Sequence, residues 1–326
     1  MHRFVPLLCA LLTILFVGGC FQDAPHDNPL DPQSPQYTGG GAFSGKVTLV
    51  NFPQAGIASV RISTLPSTLT IVSDSSGNYQ FPEITAGTYE VIASKDSYSP
   101  DTVQTTIIAG KAQTISFALN GFPQVVSAKI LTRKIDLWWP SPEYFADVTA
   151  DVSDPNGVAD LDSVWFTVDS VTFPMSYSLT DKNWQLTVTS YDLPSNNLEW
   201  LVGKSLTIVA KDRSGSLGVG DPFYVTRTIE QEAAPASPPI GDTTSGSPVF
   251  QWTAPDVRFV YTYSLSVVYV ASGTETPVWS QDNIGNHLLS YQYPSTLPQG
   301  NYSWTIEVVD EYGNYARSKE SSFVVK

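Results

Sequence analysis

The sequence predicts an all-β chain of three consecutive β-sandwich domains. Three observations predict it. From Phe43 onward, apolar and polar residues alternate with period two in short runs. Turn signals such as Asp74-Ser75-Ser76-Gly77-Asn78 and Asp212-Arg213-Ser214-Gly215 recur about every 8–12 residues. No window long enough for a helix carries sustained i, i+3, i+4 apolar spacing. At 326 residues the chain exceeds what one core serves, and 42% hydrophobic with 12% aromatic residues supplies several.

The N-terminal segment, 1–19, reads as a signal peptide. A short basic start, Met1-His2-Arg3, precedes the apolar run 4–17, which is too short for the ~20 residues a bilayer crossing needs. The run ends Val17-Gly18-Gly19-Cys20, an aliphatic residue, two small residues and a cysteine. This resembles the lipobox of bacterial lipoproteins. The resemblance implies lipid attachment at Cys20, a membrane partner through that lipid, and a cell-envelope location. Phe21, rather than Asp, follows the cysteine and is similar to the pattern sent to the outer membrane. Cys9 lies inside the removed segment, so the mature chain keeps Cys20 and no internal disulfide pair. Residues 20–42 are rich in Pro, Gly and Asp without apolar periodicity, and are expected to be a disordered tether behind the lipidated cysteine.

Residues 43–121 form the first sandwich, with strands expected at 45–50, 58–64, 69–74, 78–84, 88–94, 102–108 and 112–119. Gly45-Lys46-Val47, the turn from Ser73 to Phe81, Ile84-Thr85-Ala86-Gly87-Thr88-Tyr89 and Val91-Ile92-Ala93 resemble the carboxypeptidase regulatory-like family, a prealbumin-type sandwich. The resemblance implies a fold and no catalysis.

Residues 122–229 form the second sandwich, with strands near 146–152, 163–169, 184–191, 204–212 and 223–229. Its Val209-Ala210-Lys211-Asp212 hairpin with Gly215 resembles bacterial immunoglobulin-like domains. Residues 230–247, rich in Ala, Pro, Ser and Gly, read as a linker. Residues 248–326 form the third sandwich, with strands at 249–255, 262–270, 276–282, 288–294, 303–310 and 321–326. Leu297-Pro298-Gln299-Gly300-Asn301-Tyr302-Ser303-Trp304, with Val308-Val309-Asp310 and Gly313-Asn314, resembles a fibronectin type III-like domain, with Trp304 and Tyr302 in its core. The last two sandwiches share a device: a strand ending in Asp, a Gly turn, and a closing strand.

The chemistry-bearing residues are few. Lys plus Arg is 17 against 31 Asp plus Glu, a net charge of −14, which argues against nucleic acid as a partner. After the signal segment the histidines are His26, in the tether, and His287, at a turn. No Gly-x-Ser-x-Gly elbow accompanies them, and the ligands for a zinc site are lacking. No catalytic residue, cofactor or metal is assigned, and the chain is expected not to be an enzyme. Asp154-Pro155-Asn156-Gly157 with Asp160 and Asp162 offers four oxygen side chains that calcium can use, but the spacing is not that of an EF-hand, and a strand-end turn is the preferred reading. Trp138-Trp139-Pro140 with Tyr144-Phe145, and separately Tyr261 and Tyr263, are candidates for a sugar-stacking platform; the preferred reading places them at the junction of the first two sandwiches. The expected function is a non-catalytic, lipid-anchored envelope protein serving as a structural or protein-interaction module, with envelope proteins or polysaccharide as partners. The alternative is a carbohydrate-binding surface lipoprotein using exposed aromatics.

Overall fold

The computed structural model describes residues 26–29, 31, 33–37, 39–139 and 142–326. The signal segment and Cys20 lie outside the described residues, as does Pro140. The chain is all-β, and it divides between Gly121 and Phe122 into two compact units.

The first unit holds β1 (Gly40–Leu49), β2 (Arg61–Leu65), β3 (Thr70–Val72), β4 (Asn78–Thr85), β5 (Gly87–Ser94), β6 (Asp101–Ile107), β7 (Ala112–Thr114) and β8 (Phe117–Leu119). One sheet runs β4-β1-β7, with β8 also on β1, and the other runs β3-β2-β5-β6. Period-two alternation sends Tyr79 and Phe81 of β4, and Tyr89, Val91 and Ala93 of β5, into one core, and a register shift against β1 brings Ile84 onto the same face. Phe43 stacks on Phe81 there with ring centres 4.6 Å apart. The run 112–119, expected as one strand, is two. The ladder to β1 breaks where Ser116 Oγ, instead of a backbone carbonyl, accepts the Lys46 N–H at 3.3 Å. Of the expected tether, the backbone N–H groups of Asp31, Ser34 and Tyr37 donate to the carbonyls of Asn28, Asp31 and Ser34, and Gly40 to Ala42 already belong to β1.

The second unit holds two sandwiches. The first is built from β9 (Gln124–Ile135), β10 (Glu143–Ser153), β11 (Leu161–Val168), β12 (Val171–Pro174), β13 (Ser176–Ser178), β14 (Asn183–Thr189), β15 (Leu206–Asp212) and β16 (Leu217–Val219). Sheets β13-β14-β10-β9 and β12-β11-β15-β16 enclose Val148, Phe166, Val188, Leu206 and Ile208. The expected strand at 223–229 is absent; that stretch makes isolated bridges through Phe223 and Val225. The second sandwich is built from β17 (Ala234–Ser237), β18 (Asp242–Thr244), β19 (Val249–Thr253), β20 (Tyr261–Ala271), β21 (Thr274–Gly285), β22 (Ser290–Gln292), β23 (Gly300–Asp310), β24 (Tyr315–Arg317) and β25 (Ser321–Val325). Its core centres on Phe250, Tyr263, Trp304 and Phe323. Trp304 is buried as expected and donates its indole N–H to Pro238 O at 3.1 Å.

Two features depart from the expected string of separate domains. Residues 230–247 are not an open linker. They contain β17, antiparallel to β19, and β18, parallel to β25. Proline is tolerated there because β17 is an edge strand, where a missing N–H breaks no second ladder. The unexpected β9 then pairs with β24 in parallel, Tyr315 opposite Arg133 and Arg317 opposite Ile135. A single ten-stranded sheet therefore runs through both sandwiches of this unit.

Candidate functional site

One turn recurs in all three sandwiches. Asp212 and Asp310 end β15 and β23, and Asp74 follows β3 by two residues; each donates its backbone N–H to the carbonyl four residues on and accepts the N–H of the glycine three residues on. Gly77, Gly215 and Gly313 have φ of 85°, 94° and 89°, the left-handed region where a Cβ is penalised. In each case Oδ1 of the aspartate also accepts the backbone N–H four residues on: Asn78 at 2.8 Å, Ser216 at 2.7 Å and Asn314 at 2.9 Å. What each carboxylate faces differs. Asp310 Oδ2 accepts from Asn314 Nδ2 at 3.0 Å and has Arg227 Nε 3.8 Å away.

Asp212 faces two further acids. The Asp154-to-Gly157 turn, closed by Gly157 N–H to Asp154 O at 2.9 Å, carries the chain from β10 toward β11. A 3-10 turn, Val158–Asp160, follows. These two turns and the end of β15 bring one carboxylate oxygen of each of Asp154, Asp160 and Asp212 within 4.8 Å of one another. Asp160 is 6% exposed and Asp212 fully buried. Asp154 Oδ1 accepts the Asn156 N–H at 2.7 Å, while Asp154 Oδ2 and Asp160 Oδ2 are buried without a hydrogen-bond partner. Burial, joined by the charges of Asp160 and Asp212, pushes the Asp154 carboxyl up to about 6. Asp162, part of the sequence-derived set, is exposed and lies 3.8 Å from Lys211 instead. Asp212 was missing from that set because it is distant in sequence; the Asp turn shared with Asp310 was the available signal.

A second candidate lies where the two sandwiches of this unit meet. Trp138 is 61% exposed and Trp139 89% exposed. Trp138 donates its indole N–H to Glu320 O at 2.9 Å, and Lys319 Nζ sits 4.9 Å from its ring centre. Its immediate neighbours are thus in the third sandwich. A groove of about 480 Å3 is lined by Trp138, Pro235, Pro239, Ile240, Asp136 and Glu232, among others. Lys134 pairs with Glu232 at 2.6 Å and hydrogen-bonds Glu230 O. Burial acts to raise the Glu232 carboxyl, but the hydrogen bond and charge of Lys134, the residue's own backbone N–H and the Asp136 hydrogen bond together outweigh it and hold the group low. Burial, then the Glu232 charge, push Asp136 up. No local sequence pattern marked these acids as neighbours of Trp138.

The other aromatics do not join a platform. Tyr263 is fully buried against Trp252, and burial pushes its hydroxyl up strongly. Tyr261 is half-buried beside it. Phe145 is covered by the Arg133 guanidinium 3.9 Å from its ring centre. Tyr144 donates to Glu230 Oε2 at 2.9 Å, and burial, then this carboxylate, push its hydroxyl up to about 12. His287 sits at a turn, and His26 pairs with Asp31.

Residues 42–120 match the carboxypeptidase regulatory-like domain family. No curated protein matches the chain in sequence. Among solved structures, the chain is similar to the FN1–FN3 domains of chicken CNTN1 at 10% identity, covering 84% of this chain and 92% of that one with a TM-score of 0.32. It is also similar to domains A168–A170 of titin at 12% identity, covering 82% and 89% with a TM-score of 0.20. The Bacillus anthracis TIE protein is similar at 10% identity, covering 88% of this chain and 49% of that one with a TM-score of 0.28. The family match covers the first sandwich, and the described residues from Gly40 onward form β-sandwiches.

Proposed function

We propose that the chain is a non-catalytic, lipid-anchored protein of the cell envelope, held in the outer membrane through Cys20, whose sandwiches serve protein interaction. The lipobox-like Val17-Gly18-Gly19-Cys20 supports the anchor. The absence of a triad or zinc ligand set in the sequence supports the non-catalytic reading. The interaction reading rests on one observation: Trp138 lines a groove with Pro235, Pro239 and Ile240 in its wall, and its chain neighbour Trp139 stands exposed. Exposed tryptophans on a rigid support are energetically effective anchors for a partner. The ten-stranded sheet supplies the rigid support.

The test places a photo-crosslinking residue at position 139 of the full chain in living cells. Discrete protein adducts, absent when the same probe replaces the equally exposed Leu179, support the interaction reading. No discrete adduct at 139 sinks it. The anchor is tested separately by intact mass of the mature protein, where an unmodified Cys20 thiol sinks that part.

One observation favours a second reading, carbohydrate binding. Trp139 is open, and the Asp136 and Glu232 carboxylates line the nearby groove as hydroxyl acceptors. Retention on a polysaccharide, lost on Trp139→Ala, would establish it.

A further inference from the structure

We propose that Asp154, Asp160 and Asp212 bind a calcium ion that ties the β10–β11 crossover to the end of β15. Acidic side chains cluster in many turns without a ligand, so the case rests on what two of these three, Asp154 and Asp160, lack. Asp160 is 94% buried by its 6% exposure, yet its Oδ2 has no hydrogen-bond partner. Asp154 Oδ2 is orphaned in the same place. Neither Asp154 nor Asp160 pairs with a Lys or Arg among the described residues. A buried carboxylate without a partner is costly, and two beside a third are costlier.

The same turn in the next sandwich offers a contrast. Asp310 occupies the position of Asp212 in the next sandwich, and there Arg227 approaches at 3.8 Å. The last sandwich thus meets the carboxylate with a cation from its own chain. The middle sandwich places two more carboxylates at that position.

The donor set selects the cation. All three groups are carboxylates, with no imidazole or thiolate, which suits a hard ion and not zinc or copper. Calcium bonds oxygen at about 2.4 Å, so two oxygens on opposite sides of one ion stand about 4.8 Å apart. The three oxygens lie within 4.8 Å of one another. Water fills the remaining positions, as calcium accepts irregular shells of six to eight oxygens. Magnesium holds its water tightly and demands a regular octahedron, which favours calcium.

The test titrates CaCl2 into the full chain after stripping with EDTA, read by calorimetry and by melting temperature. The expected result is one calcium per chain and a rise in melting temperature of the wild type. Asp160→Asn should weaken binding at least tenfold and, in EDTA, melt at or above the wild type because it removes uncompensated charge. Asp154→Asn should do the same, and it decides the matter if Asp160→Asn fails to fold. No binding by the wild type up to about 10 mM calcium, beyond the weakest extracellular calcium modules, would overturn the proposal. So would binding that both variants retain, or equal affinity for MgCl2.

Discussion

Asn314 Oδ1 accepts the backbone N–H of Thr132 at 2.8 Å and its hydroxyl at 3.1 Å, across 182 residues of sequence. Thr132 lies in β9 of one sandwich, and Asn314 sits in the hairpin turn before β24 of the next. The same Thr132 hydroxyl reaches Arg227 O at 3.3 Å. The amide therefore seals the join at which β9 and β24 become neighbours. Asn314→Ala would leave the Thr132 N–H buried and unpaired, at a cost of roughly 2–3 kcal/mol. Denaturant unfolding of the second unit is expected to lose cooperativity and separate into two transitions. A single transition with wild-type midpoint would contradict this coupling.

Asp310 organises that turn. Asp310→Ala removes acceptors for Tyr312 N, Asn314 N and Asn314 Nδ2 and leaves Arg227 without its nearest buried anion. The expected loss is about 2–3 kcal/mol, and Asp310→Asn, which keeps an acceptor for the two backbone donors, should cost about 1 kcal/mol. Equal midpoints for the two variants would show that charge, not hydrogen bonding, dominates.

Glu307 predicts a pH dependence. Burial raises its carboxyl above the ordinary value of 4.5, with Asp282 adding to the rise and Arg317 opposing it. A raised acid binds its proton more tightly folded than unfolded, so its contribution to stability is present below about 4.5 and is lost as pH rises through the raised value. Glu307→Gln is therefore expected to raise the melting temperature at pH 7 relative to wild type, with the gain shrinking toward pH 4. A pH-independent difference would refute the assignment.

Trp139 separates binding from folding. At 89% exposure it contributes little packing, so Trp139→Ala should leave stability within about 0.5 kcal/mol of wild type while removing the crosslink or glycan signal assigned to this face. Trp304→Ala is the opposite case: the side chain is 1% exposed and its loss should cost about 3–5 kcal/mol. A large loss at Trp139, measured by chemical denaturation, would mean it packs in the folded protein.

Much of the fold was legible in residues. Strands such as Gly87–Ser94 and Leu206–Asp212 alternate cleanly, since one face meets a core and the other does not. The Asp-Gly turns announced themselves because few residue types supply both a local acceptor and a positive φ. β9 did not. Its burial alternates poorly, with Lys129, Arg133 and Lys134 in a strand whose edge is covered by β24 and whose cations find Asp147 and Glu232. β17 was hidden by Pro235, which its edge position tolerates, and β18 by its length of three polar residues. Of the acid cluster, Asp154 and Asp160 were visible as neighbours in sequence, while Asp212 was not.

By itself the sequence determined what depends on near neighbours: an all-β chain, three sandwich cores, the Asp turns that close their hairpins, and the poverty of catalytic side chains. Those follow from alternation, backbone conformation and composition, which are local. Tertiary structure decided that two sandwiches share one sheet, that Trp138 faces the third sandwich, and that Asp212 stands beside Asp154 and Asp160. Each of these joins residues far apart along the chain. Such pairings are set by strand register and the docking of sheets, and side-chain period alone carries no record of them.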